Sequence, residues 1–326
     1  MLRSGGSSAG VRAVLAGALL LAGLAVASCS AGPDDGGGGG SGKDDPNGKV
    51  TVVYQANAIQ PADRHAVAVV RKSRVLEQVA GWVNTSLALP HDLVVNVTER
   101  VPPGVTDAVT QPDGRTIFIP PSFLTRIAEV SGTVAKTVKR PALFPADEFH
   151  ADDLTALSTQ FIFGHEMGHA LQRQFPLANL GLEEDAADGF ASFYTVNEVG
   201  PGPSLATALL FDELARQEGR LTLEGLSSDH PVTQQRVFNF LCYLEGSDPK
   251  RFSGPLVGPG YLPKTRAPLC PQAWAMLNYG WWTQLKPHFS EPFQARGDKE
   301  QQRAHDQLIA ETKALAKKLD QLRSEQ

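Results

Sequence analysis

The sequence predicts an α+β fold, mostly helical around a small β-sheet, and three observations carry that prediction. Two short β-branched runs lie near each other, Leu-Val-Val-Asn-Val-Thr at 93–98 and Thr-Ile-Phe-Ile at 116–119, each bounded by turn residues. From about residue 150 onward, apolar residues recur at helical spacing between Gly/Pro breaks. No internal repeat is visible. The 326 residues, 42% hydrophobic and 20% charged, suffice for one sizeable core with or without a subdomain. A net charge of −5 without clustered Lys and Arg excludes a nucleic-acid footprint.

The elements follow in order. Residues 61–87 read as one helix, with Val67, Val70, Val75, Val79 and Trp82 among its apolar positions, ended by Pro90. The strand at 93–98 stops before Pro102, Pro103 and Gly104. Gln111-Pro112-Asp113-Gly114 is a turn, and the strand at 116–119 stops at Pro120-Pro121. A helix resumes at 122–130. Asp152 or Asp153 caps a helix over 154–175, which Pro176 closes. Further helices are expected at 182–198, 204–217, 232–245, 272–285 and 298–324, the last docking on the domain. The Gly/Pro-rich stretch near 253–263 reads as a loop. Trp274, Trp281 and Trp282 read as core residues.

The N-terminus has a different logic. Arg3 and Arg12 precede an apolar stretch at 14–27, short of the roughly 20 residues of a membrane span and suited to a signal peptide. It ends in Val26-Ala27-Ser28-Cys29, which resembles the lipobox of bacterial lipoproteins. The resemblance implies that 1–28 is removed, that Cys29 is lipidated, and that the chain is anchored on the outer face of the cytoplasmic membrane. Residues 29–49, with a glycine run at 36–40 among Asp and Lys, then form a flexible tether, and 50–326 the folded domain. Of three cysteines, a lipidated Cys29 leaves Cys242 and Cys270 as an even pair, expected as a disulfide in an oxidising compartment.

The chemistry concentrates in His165-Glu166-Met167-Gly168-His169. On a helix, positions i and i+4 share a face, so two imidazoles can meet one metal ion. Glu166 then lies beside the metal, where a general base for an activated water belongs. Gly164 and Gly168 each cost about 1 kcal/mol of helix propensity relative to Ala, which calls for a close neighbour or room at the site. Downstream, Glu183-Glu184-Asp185-Ala186-Ala187-Asp188 falls on the next helix. A catalytic zinc takes three protein ligands and keeps one position open. Glu184 is the chosen third ligand, with Glu183 and Asp185 open as substitutes because spacing alone does not separate them. Asp188 can accept a hydrogen bond from a ligand histidine.

The His-Glu-x-x-His and Glu-x-x-x-Asp pattern resembles that of the gluzincin metallopeptidases. The text 164–171 and 183–188, then Asp229-His230-Pro231, Gln235-Arg236-Val237-Phe238-Asn239, Cys242, Gly246-Ser247-Asp248-Pro249 and Arg266-Ala267-Pro268-Leu269-Cys270, is similar to a bacterial family of metallopeptidases over about residues 55–290. The resemblance implies a zincin-like, zinc-dependent peptidase acting on protein or peptide substrates. His165, His169 and Glu184 would be its ligands and Glu166 its catalytic glutamate. His230 is a candidate oxyanion donor, with a turn histidine before Pro231 as the other reading, and Arg236 would orient it or bind substrate. The strand at 116–119 would be the edge along which an extended peptide docks. Two other classes stay open: a catalytically inactive lipoprotein serving as a binding or scaffold module, and a metal hydrolase acting on a non-peptide amide.

Overall fold

Alternating β-branched residues fold four short strands into one sheet of order β1-β2-β4-β3. β1 (Val50–Tyr54), β2 (Leu93–Val97) and β4 (Thr116–Ile119) are parallel, with Val52 beside Val95 and Val95 beside Ile117. β3 (Val109–Thr110) runs antiparallel to β4 and pairs Thr110 with Ile117. The expectation that 116–119 forms the edge is therefore corrected: β4 lies between β2 and β3. Two residues are too few to leave a strand signal in the sequence, so β3 was not anticipated. Leu93, Val95, Val97, Ile117 and Ile119 are buried on one face, as period-two alternation requires.

This computed structural model describes residues 48–145, 149–179, 181–219, 222 and 232–324. The targeting segment, Cys29 and His230 lie outside them. The single helix expected at 61–87 is two, α1 (Arg64–Ser73) and α2 (Val75–Ser86), because Arg74 turns left-handed at φ 57° and its N–H caps Val70 O. α3 (Pro121–Thr137) follows the sheet. α4 (Ala151–Gln174) carries the His-Glu-x-x-His motif and packs against α1, α2, α3, β3 and β4. It is capped by His150 rather than an aspartate; Asp153, at the third helical position, accepts from His150 N at 3.3 Å. Its buried residues surround the helix, which explains its weak amphipathic signal.

α5 (Glu183–Tyr194) continues into a π-helical turn (Thr195–Val199) that stops at Gly200. Among the described residues, α6 (Gly202–Glu218), α7 (Thr233–Ser247), α8 (Pro249–Val257), α9 (Cys270–Leu285) and α10 (Gln294–Ser324) follow. α8 occupies part of the stretch expected as a loop. Asp248 caps it by accepting from Arg251 N at 3.2 Å, and Pro249 at its first position forfeits no helical hydrogen bond. Cys242 on α7 and Cys270 at the start of α9 form a disulfide across a sequence separation of 28. By loop-closure entropy it stabilises by about 3–4 kcal/mol. Trp274, Trp281 and Trp282 are all buried; Trp281 and Trp282 meet Phe193, which also packs on Trp82. Among the described residues, no helix is long and apolar enough to cross a membrane.

Small residues let α4 and α5 approach closely. A Cβ on Gly164 would lie 3.3 Å from Ala191 Cα, and one on Gly168 would lie 3.0 Å from Ala187 Cα and from Phe190 Cβ. The propensity cost of these glycines therefore secures the distance between the two helices that carry the acidic and histidine motifs. Gly168→Val should overpack this contact and destabilise the protein by about 1–3 kcal/mol. Gly132→Ala on α3, where a Cβ meets nothing within 4 Å, should not destabilise it. Thermal unfolding of both variants measures the difference.

Candidate metal centre

α4 presents His165 and His169 one turn apart, and α5 sets its first turn against them. His165 Nε2 and His169 Nε2 lie 3.1 Å from each other. Glu184 closes the triangle, Oε2 at 3.2 Å from His165 Nε2 and Oε1 at 3.4 Å from His169 Nε2. One ligand atom from each of the three residues falls within 4.8 Å of the others. Both imidazoles are buried, and the Glu184 side chain is 15% exposed.

The acidic run separates into distinct positions that spacing did not resolve. Asp188 Oδ1 lies 2.8 Å from His165 Nδ1, and Glu183 Oε1 lies 2.7 Å from His169 Nδ1. A carboxylate oxygen only accepts, so each Nδ1 carries a proton, and each ring, when neutral, offers an Nε2 lone pair to the interior. Asp185 is exposed. Glu184 is thus the acid that converges with the imidazoles, while Glu183 orients one of them.

Arginines hold the orienting acids. Arg236, from α7, donates Nε to Asp188 Oδ2 and Nη2 to Asp188 Oδ1, both at 2.7 Å, and stacks over Phe211. Its guanidinium is held by Asp188; His230, the other partner expected for it, lies outside the described residues. Arg173, from the last turn of α4, donates Nη2 to Glu183 at 2.9 Å and Nη1 to the carbonyls of Thr110 and Gln111 at 2.6 and 3.0 Å. Thr110 Oγ1 lies 2.7 Å from Glu166 Oε2 and 2.9 Å from Glu166 O. Thr110, Arg173 and the orienting part of Glu183 were missed from sequence. No local pattern links β3 to a helix more than fifty residues on.

The electrostatics favour a cation. Burial would by itself lower the His165 pKa, but hydrogen bonds to Asp188 and Glu184 and the charges of Asp188 and Glu166 together raise it to about 9. Burial would raise Glu184, yet both histidines hold it far below the usual carboxylate range. Asp188 is likewise held low against its burial, chiefly by Arg236 and then by His165. With neutral imidazoles, the carboxylates of Glu166, Glu183, Glu184 and Asp188 outnumber the guanidiniums of Arg173 and Arg236 by two charges. Two imidazole nitrogens, a carboxylate and that excess fit one divalent metal ion.

Removing one partner of a buried pair leaves an uncompensated charge. Arg236→Met keeps the packing on Phe211 but strands Asp188, and should cost about 3–5 kcal/mol in urea unfolding. Metal affinity should fall about 10–100-fold in a chelator-competition titration.

No curated protein and no solved structure matches the chain. A family described as "Putative metallopeptidase", DUF4344, matches residues 54–285, a span that takes in the sheet from the end of β1, the histidine pair, Glu184, Arg236 and the disulfide. The chain belongs to this metallopeptidase family.

Proposed function

We propose that the protein is a zinc-dependent peptidase, lipid-anchored through Cys29 to the outer face of the cytoplasmic membrane, and that it hydrolyses peptide bonds in protein or peptide substrates. The observation that carries this reading is the convergence of His165 Nε2, His169 Nε2 and a Glu184 carboxylate oxygen, with both Nδ1 atoms tied back to carboxylates. His165, His169 and Glu184 would hold the ion. Two imidazoles and one carboxylate suit zinc, and three protein ligands are the set of a catalytic rather than a structural site. Zinc there supplies Lewis acidity, which brings water acidity towards neutrality and polarises a carbonyl.

The chain's own groups do the rest. Glu166 takes a proton from the attacking water and delivers it to the leaving amine. Asp188 and Glu183 keep the ligand imidazoles in the tautomer that binds the ion. His230 retains its sequence-based assignment as donor to the developing oxyanion. The lipobox-like Val26-Ala27-Ser28-Cys29 and the oxidised Cys242–Cys270 pair both agree with an extracytoplasmic location.

Glu166→Ala should retain bound zinc and lose cleavage of a diverse peptide mixture by about 100-fold or more, measured by mass spectrometry of products and metal analysis. Cleavage that survives in Glu166→Ala contradicts the mechanism. Stoichiometric zinc without cleavage by the wild type favours a binding module instead. A second outcome concerns protons. With its pKa raised to about 9, His165 is protonated at neutral pH before the ion binds and must release that proton. Zinc affinity should therefore rise about tenfold per pH unit between pH 6 and 8, read by titration in competing chelators. An affinity flat across that window contradicts the proton competition.

A further inference from the structure

Glu166 differs from its neighbours in the motif. The helix backbone places its carboxylate, but the last torsion of a glutamate is broad and does not choose a direction. A general base needs one lone pair aimed at the proton it takes. The direction must come from a contact outside α4, and among the described residues Thr110 makes such a contact.

Thr110 Oγ1 is 2.7 Å from Glu166 Oε2 and 2.9 Å from the Glu166 carbonyl. A hydroxyl has one proton to donate. The carboxylate is the stronger acceptor, and the shorter distance is that of a charge-assisted O–H···O⁻ bond. Thr110 is 6% exposed, as is Glu166, so bulk water competes weakly for either.

The hydroxyl is itself held. Thr110 is β-branched and stiff at its first side-chain torsion, and its strand is registered on β4 through Ile117. Its carbonyl accepts from Arg173 Nη1 at 2.6 Å, while the same guanidinium grips Glu183, the partner of His169. One arginine therefore links the strand that orients the base to the acid that orients a ligand imidazole.

We propose that Thr110 is a positioning residue for Glu166. Its hydroxyl fixes Oε2 and leaves Oε1 as the oxygen that exchanges the proton. The assignment of a catalytic effect rests on the reading of Glu166 as general base; the orientation itself does not. Arg173 supports it by anchoring the Thr110 carbonyl.

The test uses the full chain with Thr110→Val, which keeps shape and strand preference but loses the hydroxyl, and Thr110→Ser, which keeps it. Crystal structures of both variants and of the wild type are compared first. Thr110→Val should show the Glu166 carboxylate turned or in more than one orientation, and Thr110→Ser should show it as in the wild type. On a peptide the wild type cleaves, Thr110→Val should lower kcat about 10–100-fold, with KM and zinc content little changed. Thr110→Ser should recover most of kcat. A Glu166 carboxylate unmoved in Thr110→Val overturns the proposal, as does equal loss of kcat in both variants. If the wild type cleaves no peptide, the peptidase reading fails alone, and the carboxylate orientation still decides the part of Thr110. Thr110→Ala takes the place of Thr110→Val if that variant does not fold.

Discussion

The Nδ1 protons of His165 and His169 point outward, into Asp188 and Glu183, and this leaves two Nε2 lone pairs facing each other across 3.1 Å. Two lone pairs so close, with a carboxylate beside them, repel unless a proton or a cation sits between them. The carboxylates of Asp188, Glu184 and Glu166 raise the His165 pKa to about 9, so a proton competes with a cation for this place. Much of the surrounding architecture can be read as support for this one constraint. Gly164 and Gly168 bring α5 within reach of α4. α7 delivers Arg236 to Asp188, and the Cys242–Cys270 disulfide ties α7 to α9.

The supporting shell also explains how four carboxylates coexist near two imidazoles. Each acid has a defined counterpart: Asp188 has Arg236, Glu183 has Arg173, Glu166 has the Thr110 hydroxyl, and Glu184 has the imidazoles themselves. Only the last set depends on groups that a metal ion would take over. The site is thus pre-organised around the position where positive charge is needed, and the cost of burying its acids is offset locally. Edge strand β3 enters this shell through Thr110 and through the carbonyls held by Arg173. It serves first as a structural strut of the site.

Much of this was legible in the sequence, for identifiable reasons. Spacing of four residues on a helix places two imidazoles together whatever the rest of the fold does, so His165 and His169 could be paired without a structure. The helical majority followed from periodicity and breakers, while the propensity cost of Gly168 called for a close neighbour or room at the site, and the structure shows the neighbour. Spacing could not separate Glu183, Glu184 and Asp185, since consecutive helical residues differ by about 100° of rotation and the docking angle of α5 decides which one converges. The break at Arg74 depends on a left-handed residue that is not glycine, and β3 is too short for any pattern. Arg236 was flagged from the family resemblance, but its partner was set by tertiary packing. Thr110 reaches Glu166 only through the β3–β4 pairing, a long-range contact with no local trace.

The central claim is that two imidazoles and one carboxylate form a single zinc site. Zinc X-ray absorption on the purified protein tests it most directly. The account predicts one zinc per chain, two imidazole nitrogens at about 2.0–2.1 Å and oxygen ligands at about 2.0–2.2 Å, with no sulfur shell. It also predicts loss of one imidazole from the spectrum in His169→Ala. Sulfur at about 2.3 Å, or a protein that takes up no stoichiometric metal while folded, would contradict it.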